Sequence, residues 1–158
     1  MTAHRSPGER PPPTEVGETF TLRVRLGDDE LRAGARLVHD LNPLHHDLVA
    51  ARAAGYPGLI ASGAHTGAIF MGMTATHFSS PAPDGSPRSI LGLGFDIRFR
   101  KVVLADEDIT FRWTVESSVW KPSLNGYVTR SIGEVHTARG LVLDGVSNLL
   151  LRHLMPTP

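Results

Sequence analysis

Ser62-Gly63-Ala64-His65-Thr66-Gly67-Ala68-Ile69-Phe70-Met71-Gly72-Met73-Thr74-Ala75-Thr76-His77-Phe78 is the stretch that decides how this chain must fold. Ser62-Gly63 reads as a helix entry, and Ala64 to Phe78 as one long helix without a single Asp, Glu, Lys or Arg. A helix that is apolar almost all round belongs in an interior rather than on a surface. Gly67 and Gly72 each cost about 1 kcal/mol of helix propensity. That cost predicts close packing against the helix backbone at both positions.

Outward from this helix the apolar period changes from helical to alternating. Upstream, Thr19 to Leu26 places Phe20, Leu22, Val24 and Leu26 on one face, as a half-buried strand does. Gly27-Asp28-Asp29 then offers a turn and a cap for a helix from Asp29 to Val38. Asp47 can cap a second short helix, Leu48 to Ala54, that Gly55 ends. Downstream, Ser79 to Arg88 carries three prolines and reads as a loop. Ile90 to Arg100 puts Leu91, Leu93, Phe95, Ile97 and Phe99 on one face, and Ile109 to Glu116 puts Ile109, Phe111, Trp113 and Val115 inward. Tyr127 to Thr137 and Leu141 to Leu151 complete the set, the last interrupted at Asp144-Gly145. Asn125-Gly126 and Arg139-Gly140 suit tight turns between strands. The expected class is α+β, with one antiparallel sheet curled round the apolar helix, because that hides both apolar faces at once.

The 158 residues suffice for one domain with a real core. Sixteen Lys plus Arg balance sixteen Asp plus Glu, so charge makes no case for nucleic acid or a membrane surface. No apolar run approaches the roughly 18 residues a membrane-spanning helix needs. The lack of cysteine removes disulfides, thiolate nucleophiles and Cys-ligated zinc. Residues 1–18 are polar, contain Pro11-Pro12-Pro13 and read as a flexible leader to a single domain over 19–158. With no apolar signal core there, a cytoplasmic protein is expected.

Chemistry is concentrated in Asp40-Leu41-Asn42-Pro43-Leu44-His45-His46-Asp47. Proline disfavours helical geometry in the residue before it, so Asn42-Pro43 bends the chain and can turn Asp40 and His45 towards each other. Two titratable groups that reach one small molecule are the minimum equipment for general acid–base catalysis.

This motif, followed by Ile60-Ala61-Ser62-Gly63 opening an apolar helix, resembles the MaoC-like dehydratase family, which includes the (R)-specific enoyl-CoA hydratases. The resemblance runs from about Phe20 to His153. Phe99-Arg100-Lys101-Val102-Val103-Leu104-Ala105-Asp106 is similar to a degraded form of the family's F-x-x-P-V-x-P-G-D turn. The resemblance implies the hotdog fold, an antiparallel sheet wrapped round one long central helix, and a homodimer. It also implies a substrate that is an acyl thioester on coenzyme A or an acyl carrier protein, with no other cofactor. Water would add across the 2,3-double bond, held between Asp40 and His45, and the Gly63 N–H would receive the thioester oxygen. Asn42 would orient the loop, and Ser62 and His65 would border the substrate. Ser62 departs from the His-Gly that many relatives carry before the helix.

Other readings compete. His39-Asp40 and His45-His46-Asp47 could ligate a metal, but such sites draw further His and Asp from separate long helices, and the rest of this chain is mostly strand; no metal is expected. Ser62 is no nucleophile elbow, since Ile60 stands two residues before it. Gly92-Leu93-Gly94 lacks the third glycine of a dinucleotide loop. Arg98 and Arg100 read as a solvated strand face, with a carrier phosphate as the alternative. Two functional rivals remain: a biosynthetic tailoring dehydratase acting on a carrier-bound acyl group, and a non-catalytic subunit that binds acyl thioesters.

Overall fold

The computed structural model describes residues 11–154. β1 (Thr19–Arg25) leads to α1 (Asp28–Leu37), a 3-10 turn at Pro43–His45, α2 (Leu48–Ala53) and the long α3 (Gly63–Phe78). Four strands follow: β2 (Arg88–Phe99), β3 (Asp108–Lys121), β4 (Gly126–Thr137) and β5 (Gly140–His153). They form one antiparallel five-stranded sheet in the order β1-β3-β4-β5-β2. This is the expected α+β hotdog arrangement, with α3 against the sheet. No helix among the described residues is long and apolar enough to cross a membrane.

Phe70 seats α3 on the sheet. Its ring stacks on Trp113 of β3, centroids 4.1 Å apart, and the indole Nε1–H donates to the Phe70 carbonyl at 2.8 Å. Both side chains are fully buried. Beneath them Gly133 and Gly145 are paired across β4 and β5. A Cβ at Gly133 would lie 2.4 Å from Trp113 and 2.5 Å from Phe70, and one at Gly145 would lie 2.7 Å from the Asp96 carbonyl. The Asp144-Gly145 pair is therefore no interruption. The strand runs straight through, and a side chain at Gly145 would meet the Asp96 carbonyl of β2 first and the Phe70 ring next, at 3.2 Å. Leu31, Leu59, Phe111, Ile109 and Leu143 complete this core, and Phe78, Val115, Leu149 and Leu151 form a second at the far end of α3.

Four expectations need correction. A bulge between Gly92 and Gly94 reverses the facing of the first part of β2. Ile90 packs inside, while Leu91 and Leu93 are exposed. β3 continues five residues past Glu116 because a second bulge, between Val115 and Ser117, lets the pairing resume. Helix α3 is not covered all round: Ala64, Ala68, Gly72, Ala75 and Thr76 form an open stripe of small residues, and nothing lies within 4 Å of a Cβ built on Gly72. Gly67 does meet Ile97 and Phe99, at 3.8 Å. Finally, part of the proposed leader is anchored. Thr14 is buried and donates to Glu18 at 2.6 Å. Glu18 in turn pairs with His77 at 2.6 Å, and Arg88 donates to the Pro13 carbonyl at 2.7 Å. Residues 1–10 lie outside the described residues.

Gly133→Ala forces the new methyl into Phe70 and Trp113. Overpacking of this kind costs about 1–3 kcal/mol, so urea unfolding is expected to show a lowered midpoint. An unchanged midpoint would contradict the seating of α3 described above.

Candidate active site

Asp40 is placed by the way α1 ends. His39 adopts a left-handed backbone (φ 58°), a conformation rare for most side chains but tolerated by His. Its N–H donates to the Arg36 carbonyl and that of Asp40 to the Ala35 carbonyl. This is a Schellman closure with histidine in the usual glycine position. Asn42 then caps the 3-10 turn: its side-chain oxygen accepts from the Leu44 N–H at 3.2 Å, and Pro43 begins the turn. The Asn42 N–H donates to Asp40 Oδ1 at 3.2 Å. His46 hydrogen-bonds the Asp40 carbonyl at 2.8 Å, and Asp47 caps α2 through Val49 N–H at 2.7 Å.

This loop brings the acid and the imidazole together. His45 Nε2 stands 3.1 Å from Asp40 Oδ2. The other ring nitrogen, Nδ1, lies 2.9 Å from the Ile60 carbonyl. A carbonyl can only accept, so Nδ1 carries a hydrogen and Nε2 faces the carboxylate. Nε2 is thus the ring nitrogen left free to exchange a proton beside Oδ2. His45 is buried, whereas the Asp40 side chain keeps 29% exposure, enough for water to reach it.

Ser62 closes the arrangement. It is the N-cap of α3, entirely buried, and its hydroxyl donates to Asp40 Oδ2 at 2.6 Å. This hydrogen bond is the main cause that holds the Asp40 carboxyl below the usual carboxylate range; partial burial opposes it, and the Asn42 N–H and His45 add to it. The Asp40 carboxylate therefore stays ionised to lower pH than a free aspartate.

His45 and Gly63 line a cleft of about 350 Å³ whose remaining walls include Ile60, Thr66, Phe99 and Leu143. Gly63 opens α3, where backbone N–H groups have no acceptor within the helix and the helix dipole favours negative charge. The Phe99 ring lies across it: a Cβ at Gly63 would be 3.3 Å from that ring.

Two residues expected to border the substrate are placed otherwise. The Ser62 hydroxyl is turned to Asp40. The His65 ring fills a notch at Gly34 of α1, where a Cβ would come within 2.0 Å of it, and its buried Nδ1 has no partner. Burial lowers the pKa of His65, so it packs as a neutral ring. Asn42 bonds within the loop, to the Leu44 N–H and the Asp40 carboxylate. Arg100 is paired with Asp144 at 2.6 Å. Counting the family turn from Phe99 puts its glycine at Asp106, which has φ 62°, and its acid at Glu107, which is paired with Arg139. The functional groups that sequence reasoning missed are the Ile60 carbonyl, which no side-chain pattern reveals, and the ring of Phe99, read as a strand residue opening the family turn but not as a wall of the cleft. Among the described residues no three His, Asp or Glu side chains gather as a metal cluster.

A family model described as a MaoC like domain matches residues 6–135. The chain belongs to the MaoC-like dehydratase family. Its relatives include a mitochondrial 3-hydroxyacyl-[acyl-carrier-protein] dehydratase of Solanum lycopersicum, 30% identical over 91% of this chain and 81% of that protein. Among solved structures, an (R)-hydratase from A. caviae matches with TM-score 0.71 at 23% identity, over 85% of this chain and 95% of its own, which shows the fold. The R-hydratase PhaJ1 from Pseudomonas aeruginosa matches with TM-score 0.69 at 25% identity, over 91% and 90%. Hydratases and dehydratases of this family are lyases in general, and the MaoC-like assignment agrees with the strand order and the central helix seen here.

His65→Ala is expected to lower the thermal midpoint, since it empties the Gly34 notch, and to leave KM within a few-fold. A large rise in KM at unchanged stability would instead put the ring in the substrate's path.

Proposed function

We propose that this protein adds water across the 2,3-double bond of an acyl thioester, or removes it from the 3-hydroxyacyl thioester in the reverse direction. The observation that carries this reading is the Asp40 Oδ2 to His45 Nε2 contact of 3.1 Å beside the opening turn of α3. One member of the pair takes a proton from water as its oxygen bonds to C3, and the other returns a proton to C2. The pair ends with the protons it began with, so the cycle balances with water and thioester alone. The electron pair displaced from the double bond passes to the thioester oxygen, and the Gly63 N–H at the helix start is the donor suited to receive it.

The apolar walls of the cleft suit an acyl chain rather than a polar substrate. The carrier is coenzyme A or an acyl carrier protein; the name of the tomato relative favours the carrier protein. Two apolar surfaces left open in a single chain, Leu91 and Leu93 on edge strand β2 and the small-residue stripe of α3, support a homodimer. A cytoplasmic setting is part of this reading.

Loss of enoyl absorbance is measured with crotonyl-CoA and with crotonyl-carrier protein, for wild type, Asp40→Asn and His45→Gln. Wild type is expected to consume at least one substrate. Each variant should fold and lose about 10²–10⁴-fold in rate, the usual share of general acid–base catalysis. Wild-type rates in both variants would overturn the assignment. Tight thioester binding without turnover in wild type would favour the non-catalytic subunit. Light scattering should give the mass of two chains.

A further inference from the structure

We propose that Ser62 is a positioning residue: its buried hydroxyl sets the orientation of the Asp40 carboxylate and ties the acid–base pair to the first turn of the central helix. The inference rests on the hydratase reading and adds to it a role for the residue at which this chain departs from many relatives.

The geometry is specific. Asp40 Oδ2 is approached by two groups, Ser62 Oγ at 2.6 Å and His45 Nε2 at 3.1 Å, while Oδ1 takes the Asn42 N–H at 3.2 Å. Asp40 lies on the loop after α1, whereas Ser62 is on the segment entering α3, twenty-two positions away in sequence. That segment is fixed in turn: the Ala61 N–H donates to the Val103 carbonyl at 2.8 Å, and Ile60 bridges Leu104. The hydroxyl is thus the covalently remote clamp that sets the carboxylate relative to Gly63, the next residue along. With no exposure, Ser62 cannot exchange this contact for water.

Capping alone does not account for the arrangement. The Ser62 Oγ accepts from the His65 N–H at 3.4 Å, a long contact, while it donates to Asp40 at 2.6 Å, the shorter of the two. A short hydrogen bond to a carboxylate is charge-assisted and roughly twice as strong as a neutral one. The sign follows. Donation favours the ionised carboxylate, so Asp40 stays charged to lower pH than a free aspartate, and any stability this adds is present above the ordinary aspartate range and lost as pH falls through the lowered one. Removing the hydroxyl must raise the pKa of Asp40 and move the acid limb of the activity profile to higher pH.

Three variants separate positioning from capping. Ser62→Ala removes both the cap and the clamp. Ser62→Gly removes the clamp but keeps a residue that caps helices within a few tenths of a kcal/mol. Ser62→Thr keeps both. The expected result is a kcat loss of about 10- to 100-fold, the scale of a catalytic group misplaced by up to an ångström. It should appear in both Ala and Gly variants, with KM within a few-fold and the acid limb of kcat/KM displaced upward; Thr restores the limb. An acid limb unmoved in folded Ala and Gly variants would overturn the proposal and leave Ser62 a cap only. Should wild type turn over no thioester, the hydratase reading falls by itself. ¹³C NMR titration of the Asp40 carboxyl in wild type and Ser62→Gly then reads the clamp directly: an upward move upholds it, an unchanged titration refutes it.

Discussion

The stacked contact of Phe70 on Trp113, over the paired glycines Gly133 and Gly145, is the constraint on which the rest of this structure depends. Burying two large aromatics contributes several kcal/mol, and their stacking about 0.5–1.5 kcal/mol more. The indole donates to the carbonyl of the very residue it stacks upon, so the helix is fixed in rotation as well as in depth. A side chain at Gly133 would lift it, and one at Gly145 would press on the β2 backbone as well as on Phe70. Once α3 is held at its middle, its first turn has one place to be, at the end of the sheet where β2 leaves at Phe99 and the Asp40 loop arrives.

The candidate site is the consequence. The loop between α1 and α2 is closed on itself by backbone and capping bonds, and it meets the entry to α3 through the Ser62 hydroxyl and the Ile60 carbonyl. Those two contacts do different chemical work. The carbonyl decides which nitrogen of His45 carries hydrogen, and the hydroxyl decides how readily Asp40 gives up its charge. The cleft beside them is walled mainly by aliphatic and aromatic groups, so charge developing on a substrate oxygen at Gly63 would be poorly served by solvent and well served by the helix start.

Much of this was legible in the sequence, and the reasons it was differ from element to element. Helix α3 declared itself by lacking charge, β3 by alternation, and β4 and β5 as apolar runs set off by the Asn125-Gly126 and Arg139-Gly140 turns. The facing of Leu91 and Leu93 was not legible, because a bulge shifts the period without any residue that marks it: Gly92 and Gly94 serve a bulge and a flat strand equally well. The open stripe of α3 escaped notice since alanine and glycine read the same whether covered or exposed. In the site, Asp40 and His45 were found by the bend that Asn42-Pro43 imposes. Ser62 and His65 were expected at the substrate because they flank Gly63 at the helix entry, yet position says nothing of which way a side chain turns, and one faces the carboxylate while the other faces α1.

The central claim is that this pair moves protons for the addition of water to carbon. Incubating an enoyl thioester with the protein in doubly labelled water, D₂¹⁸O, and locating the labels by mass spectrometry tests it most directly. The account predicts ¹⁸O on C3 and one deuterium on C2 of an intact thioester. Label in a released carboxylate, or none at C3 of a substrate shown to bind, would contradict it.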